Sequence, residues 1–133
     1  MQRITFAHVI VFALGAALLY ACQPSPQESG ILEGHVTIGP LAPVVREGEV
    51  EPTPAPEVYA ARQVVVFEED GKTEVARLKI DENGNYRAEL PVGAYVVDIN
   101  HIGIDSAADL PKEIEITNQA ITRLDLSIDT GIR

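Results

Sequence analysis

A chain of 133 residues has room for one domain and an appendage. Twenty Asp and Glu against ten Lys and Arg give a formal charge of −10, which excludes the basic face that nucleic-acid binding requires. A single cysteine excludes an intramolecular disulfide, and the lack of tryptophan leaves the core to aliphatic side chains.

The first 21 residues differ from the rest. One charge, Arg3, precedes an apolar run from Val9 to Leu19 broken only by Gly15. A short basic start, an apolar centre and a small residue before a cut are the pattern of a secretory signal. The same run, Ile4 to Ala21, reaches the lower edge of a membrane-spanning helix. Thr5 and His8 weaken its beginning, and no Lys or Arg cluster follows to mark a cytoplasmic flank.

Cys22 bears on this choice. A free thiol on an exported protein oxidises or cross-links, so the sulfur makes more sense consumed. Leu19-Tyr20-Ala21-Cys22 resembles the lipobox of bacterial lipoproteins, with Leu three before the Cys and a small residue just before it. Tyr20 departs from the family's small or aliphatic choice at that place. The resemblance implies lipidation of the Cys22 sulfur by fatty chains such as palmitate, and cleavage of residues 1–21. It also implies a place in the cell envelope, on the outer face of the plasma membrane or in an outer membrane. Gln23, rather than Asp, after the Cys favours the outer membrane by the same resemblance. One acyl chain holds a protein only marginally, whereas two or three make attachment nearly permanent. Loss of Arg3 with the signal leaves nine Lys and Arg against twenty acids, a net charge of −11. That charge reads as a solvated acidic surface.

Residues 22–30 are the modified Cys and a polar tether with Pro24 and Pro26. Extended, the eight residues from Gln23 to Gly30 reach about 28 Å at most. From Ile31 the hydrophobic period is two. Leu32, Gly34, Val36 and Ile38 alternate with Glu33, His35 and Thr37, which predicts the first strand. Gly39 to Tyr59 then holds five of the nine prolines. Proline lacks the N–H a sheet ladder needs, so this stretch is no central strand. A loop of about 20 residues is long for a compact domain and tends to be functional. We expect extended, polyproline-like pieces lying over the sandwich here, with Pro40, Pro43, Arg46, Pro52, Pro54 and Pro56 as a candidate interaction surface.

Ala61–Asp70 predicts a second strand, central because of its Val64-Val65-Val66-Phe67 run, and Asp70-Gly71 a hairpin turn. In the next strand Ala76, Leu78 and Ile80 share one face. Asn83-Gly84 supplies the turn within Asp81–Asn85. Tyr86, Ala88 and Leu90 then point inward, Pro91-Val92-Gly93 turns the chain, and Tyr95, Val97 and Ile99 point inward again. Asp105–Pro111 fits one short turn. Glu113–Thr117 is a short strand, and Ile121–Thr130 closes the chain with Leu124, Leu126 and Ile128 on one face. Seven short strands over residues 31–133 predict an all-β, antiparallel two-sheet sandwich.

The stretch "DENGNYRAELPVGAYVVDI", with "GHVTI" ahead of it, resembles the signature of carboxypeptidase regulatory-like domains. That resemblance implies a transthyretin-like (prealbumin-like) Greek-key sandwich. It does not fix a function, because such domains serve peptidases, outer-membrane receptors and surface proteins alike. Transthyretin-like hydrolases use histidines, an arginine and a C-terminal Tyr-Arg-Gly-Ser motif, and the terminal "DTGIR" does not match that motif.

No catalytic residue, metal site or cofactor motif is assigned. His101 with Asp98 and Asp105 is the one arrangement that could approach a metal site, and an ordinary loop His is the favoured reading. "DENGN" lacks the full calcium-loop spacing. The sequence therefore points to a non-enzymatic, lipid-anchored envelope module that contacts another envelope protein or a cell-wall polymer. The alternative is a small-ligand or glycan-binding lipoprotein associated with a transporter.

Overall fold

A computed structural model describes residues 24–133. The signal segment and Cys22 lie outside the described residues. Those described form β1 (Ser29–Gly39), α1 (Pro56–Ala60), β2 (Gln63–Glu68), β3 (Glu74–Lys79), β4 (Asn85–Pro91), β5 (Gly93–Ile99), β6 (Lys112–Ile116), β7 (Ile121–Arg123) and β8 (Leu126–Asp129). Among them no helix is long and apolar enough to cross a membrane.

Two four-stranded sheets face each other. In one, β1 is central, with β4 antiparallel on one side and β7, then β8, parallel on the other. The second runs β3-β2-β5-β6 with every neighbouring pair antiparallel. The chain passes between sheets after β1, β3, β4 and β6. The expected all-β sandwich is the fold observed. Its core is aliphatic, with Leu32, Val36, Val64, Val66, Val97 and Ile116 fully enclosed, and Tyr59, Tyr86 and Tyr95 supply bulk at its margins. Alternation locates these side chains because successive residues of a strand point to opposite faces. Leu32, Gly34, Val36 and Ile38 are buried on β1, and Tyr86 and Leu90 on β4. The valine run of β2 takes the central place expected of it, between β3 and β5.

The C-terminal segment departs from expectation. Ile121–Thr130 is not one strand but two, and both run parallel to β1. The break falls at Leu124–Asp125, opposite Gly34. There the Leu124 N–H donates to the Glu33 carbonyl at 2.9 Å, while the Leu124 carbonyl lies over the Gly34 Cα. A Cβ on Gly34 would stand 1.8 Å from that oxygen, so only glycine admits the approach. The Tyr86 hydroxyl donates to the same carbonyl. The Asp125 carboxylate accepts the His35 backbone N–H at 2.8 Å, satisfying a donor the interrupted ladder would otherwise leave open. Leu124, Leu126 and Ile128 stay buried on both sides of the break, so the hydrophobic pattern runs through it undisturbed.

Two turns form as their side chains dictate. Asp70 Oδ1 accepts the N–H groups of Lys72 and Thr73 at 2.8 and 2.9 Å, closing the β2–β3 hairpin. Asp81 Oδ1 accepts those of Asn83 and Asn85, both at 2.9 Å, and Gly84 takes φ +83°. The acidic "DENGN" thus spends its first carboxylate on its own backbone.

The strands share two poles. β1 spans eleven residues, about 35 Å at 3.3 Å per residue. At its start the entering chain is held by Val92 N–H on the Glu28 carbonyl (3.0 Å) and Gln119 N–H on the Ser29 carbonyl (2.8 Å). The Pro91–Gly93 corner and the Thr117–Ala120 turn therefore surround the entry. At its end lie the Pro-rich loop, the segment after β5 and the C-terminus. Thr130 ties these together, its N–H to the Gly39 carbonyl (3.1 Å) and its hydroxyl to the Pro40 carbonyl (2.5 Å).

Candidate functional site

The candidate loop begins where β1 ends and returns through α1. Pro40 and Pro54 are half-buried, whereas Pro43, Arg46, Pro52 and Pro56 are exposed. Residues 40–55 carry no regular secondary structure: Arg46–Glu49 makes a turn closed by the Glu49 N–H on the Arg46 carbonyl at 2.9 Å, Gly48 takes φ +90°, and Ala55, just before α1, is extended (φ −69°, ψ 157°). The loop's last residues depart from the expected polyproline-like course and form α1. Pro56 stands in the first turn of α1, where a missing N–H costs nothing. Tyr59 then packs into the core at 6 % exposure. A five-residue helix is too short for a 3.6 period to register in sequence.

The structure brings all six sequence-predicted loop residues to one pole, but not into one cavity wall. Gly39 and Glu51, the two ends of the projecting segment, approach each other, with the Glu51 carboxylate lying over Gly39. Between them Val44 is 78 % and Val50 92 % exposed. One cation, Arg46, accompanies Glu47, Glu49, Glu51 and Glu57 in this stretch.

Sequence reasoning did not find the contact that fixes the neighbouring surface. Arg62, just after α1, makes a two-pronged ion pair with Asp105, Nε to Oδ2 at 2.7 Å and Nη2 to Oδ1 at 3.1 Å. A third donor of the same guanidinium reaches the Val58 carbonyl at 2.9 Å. The two side chains are 13 % and 5 % exposed, so this is a buried, fully hydrogen-bonded pair. It clamps the end of α1 to the segment after β5. The partners stand 43 residues apart, a separation that carries no local signal.

The same pair decides the histidine. His101 Nε2 lies 2.9 Å from Asp98 Oδ1, but Asp105 presents only its backbone carbonyl to the ring, 3.4 Å from Nδ1. The Asp105 carboxylate belongs to Arg62. Among the described residues no three His, Cys, Asp or Glu side chains are grouped so as to hold a metal ion. The Asp105–Pro111 stretch makes a turn closed by Leu110 N–H on the Ala107 carbonyl (3.2 Å), after Ser106 exchanges hydrogen bonds with Asp129.

A separate groove of about 450 Å³ lies on the outer face of the β1 sheet, with Glu33, Lys79, Asp81, Arg87 and Arg123 around it. Arg87 pairs with Glu33, and Arg123 with Asp125 at 3.2 Å. Asp125 is held below the usual carboxylate range by the His35 N–H and then by Arg123. At the groove's floor, burial, reinforced by the charge of Asp125, pushes the Tyr86 hydroxyl well above the ordinary phenol range. It therefore remains a donor to Leu124. This groove is polar, and most of its charges already have partners.

The sequence matches no family model and no curated relative. Solved bacterial β-sandwich structures do resemble the fold. One is the minor pilin GBS52 of Streptococcus agalactiae, with TM-score 0.53, 13 % identity, and 77 % of this chain covered against 45 % of that one. Another is the major pilin subunit BcpA of Bacillus cereus, with TM-score 0.50, 18 % identity, and 76 % against 29 %. A DUF3823 family protein of Parabacteroides merdae aligns with TM-score 0.47 and 14 % identity over 77 % of this chain and 46 % of that one. The chain spans less than half the length of each. At these identities the likeness to the two pilins establishes an all-β sandwich fold and nothing further.

Proposed function

We propose that this protein is a lipid-anchored component of the bacterial cell envelope. Its β-sandwich serves as a non-catalytic interaction or structural module of carboxypeptidase regulatory-like type. The observation that carries this reading is the placement of the two ends of β1. The segment following Cys22 enters at one, and the most exposed loop of the domain, with Pro43, Arg46, Pro52 and Pro56, projects at the other. A fatty thioether on Cys22 fastens the first end to the outer leaflet of the plasma membrane or to the outer membrane. The loop is thereby presented to another envelope protein or to a cell-wall polymer. No cofactor enters this role.

The test is membrane partition. Wild-type protein should sediment with membranes and resist high salt and alkaline washing. Cys22→Ser should be shed or left unprocessed. Salt-extractable wild-type protein would contradict the anchor, because a net charge of −11 offers no electrostatic hold on anionic lipid. A second reading, a ligand-binding lipoprotein serving a transporter, draws on the groove between Glu33, Lys79, Arg87 and Arg123.

A further inference from the structure

We propose that the pole opposite the tether is a docking surface for a protein with an apolar groove bordered by Lys and Arg. This rests on the envelope-module reading and specifies its partner. Of the nine exposed large aliphatic side chains among the described residues, six gather at that pole: Val44, Val45, Val50, Ile102, Ile104 and Ile132. They come from three separate segments, which the fold brings to one end. Thr130 binds the start of the Pro-rich loop, Arg62 holds the segment after β5, and Ile104 packs directly against Gly131. Ile104 nevertheless remains 74 % exposed. Solvent-facing aliphatics scattered singly need no explanation, whereas their collection at one end marks a contact surface.

Charge selects the occupant. Glu47, Glu49 and Glu51 flank Val50 and follow Val44 and Val45 along the loop, and Glu57 stands on α1. Arg46 is the loop's one cation, and Arg133, beside Ile132, is already paired with Asp129 at 2.8 Å, so an acidic polymer or an anionic lipid surface is repelled and a basic rim is attracted. A glycan is disfavoured as well. The one aromatic ring of the loop, Tyr59, is buried and gives a sugar no face to stack on. Each proline fixes its own φ at about −65°, so the loop loses less backbone freedom on docking. The six residues from Gln23 to Glu28 add up to about 21 Å to the about 35 Å of β1, so the surface stands clear of the leaflet.

The test places a photo-crosslinking amino acid singly at Val44, Val50 or Ile104 of the full chain in its own membranes. Val92, at the tether pole, and Ile121, on the β7 edge, serve as controls. Irradiation should join each of the first three positions to one and the same protein. The joined peptide should be apolar and flanked by Lys or Arg, and Val92 and Ile121 should give none. In a second arm, Glu47→Lys, Glu49→Lys and Glu51→Lys together should cut the adduct about tenfold, the effect of a few exposed ion pairs, with the melting temperature unchanged. Adducts to glycan or lipid, adducts equally strong at Val92, or a yield indifferent to the charge reversal would each overturn the inference. Loss of membrane attachment with the adducts retained would instead overturn the anchor alone.

Discussion

Replacing Tyr86 by Phe removes one oxygen atom and tests the account of the split C-terminal strand. The Tyr86 hydroxyl is the side-chain donor to the Leu124 carbonyl, and Tyr86 is 3 % exposed. Without it that carbonyl stays in the interior, turned toward Gly34 and unable to join the ladder. A buried acceptor left unpaired costs about 1–3 kcal/mol. A domain of about 100 residues loses roughly 4–8 °C of midpoint per kcal/mol, so Tm should fall by about 5–20 °C. Circular dichroism near 218 nm on the detergent-solubilised chain measures it. Gly34→Ala attacks the same point from the other side, since its Cβ would meet the Leu124 oxygen at 1.8 Å. The two changes share one carbonyl and should combine non-additively. A Tyr86→Phe midpoint within about 1 °C of wild type would refute the claim that this hydrogen bond holds the break.

Three further outcomes follow. Asp105→Ala should destabilise by about 3–5 kcal/mol in urea titration, because it leaves the Arg62 guanidinium buried and unpaired. Arg62→Met with Asp105→Leu should recover part of that loss. Asp129, hydrogen-bonded first by Arg133 and then by the Gly131 N–H, has its pKa lowered from 3.8 to about 2. A depressed carboxylate stabilises the fold while ionised, so the contribution is whole above 3.8 and is lost as pH falls toward 2. The urea midpoint of Asp129→Asn should therefore fall less steeply than wild type across that window. Finally, millimolar sugars and small carboxylates should leave Tm within about 1 °C, since a specific ligand of the native state would raise it. A solute that raises Tm, with the rise lost in Lys79→Ala, would favour the ligand-binding reading.

Much of the fold could be read directly from alternation and turn chemistry. The inward faces of β1, β4 and β5, the Asp81–Asn85 turn and the Pro91–Gly93 corner each follow from a local rule that the tertiary structure does not override. The break at Leu124 could not be read, since Leu124, Leu126 and Ile128 keep one phase across it and its causes, Gly34 and Tyr86, lie on other strands. The helix at Pro56–Ala60 has five residues, too few for a helical period to repeat. At the candidate site, the prolines announced an exposed loop. Ile104 and Ile132 joined that surface only through topology, by the parallel course of β8 beside β1. Arg62 and Asp105 met for the same non-local reason, and their meeting removed Asp105 from His101.

The most direct test of the account is mass spectrometry of the mature N-terminal peptide from native membranes. It should begin at Cys22 and carry the mass of a thioether-linked diacylglyceryl group, with or without a third acyl chain on the amine. A peptide beginning at Met1, with an unmodified Cys22 thiol, would contradict it.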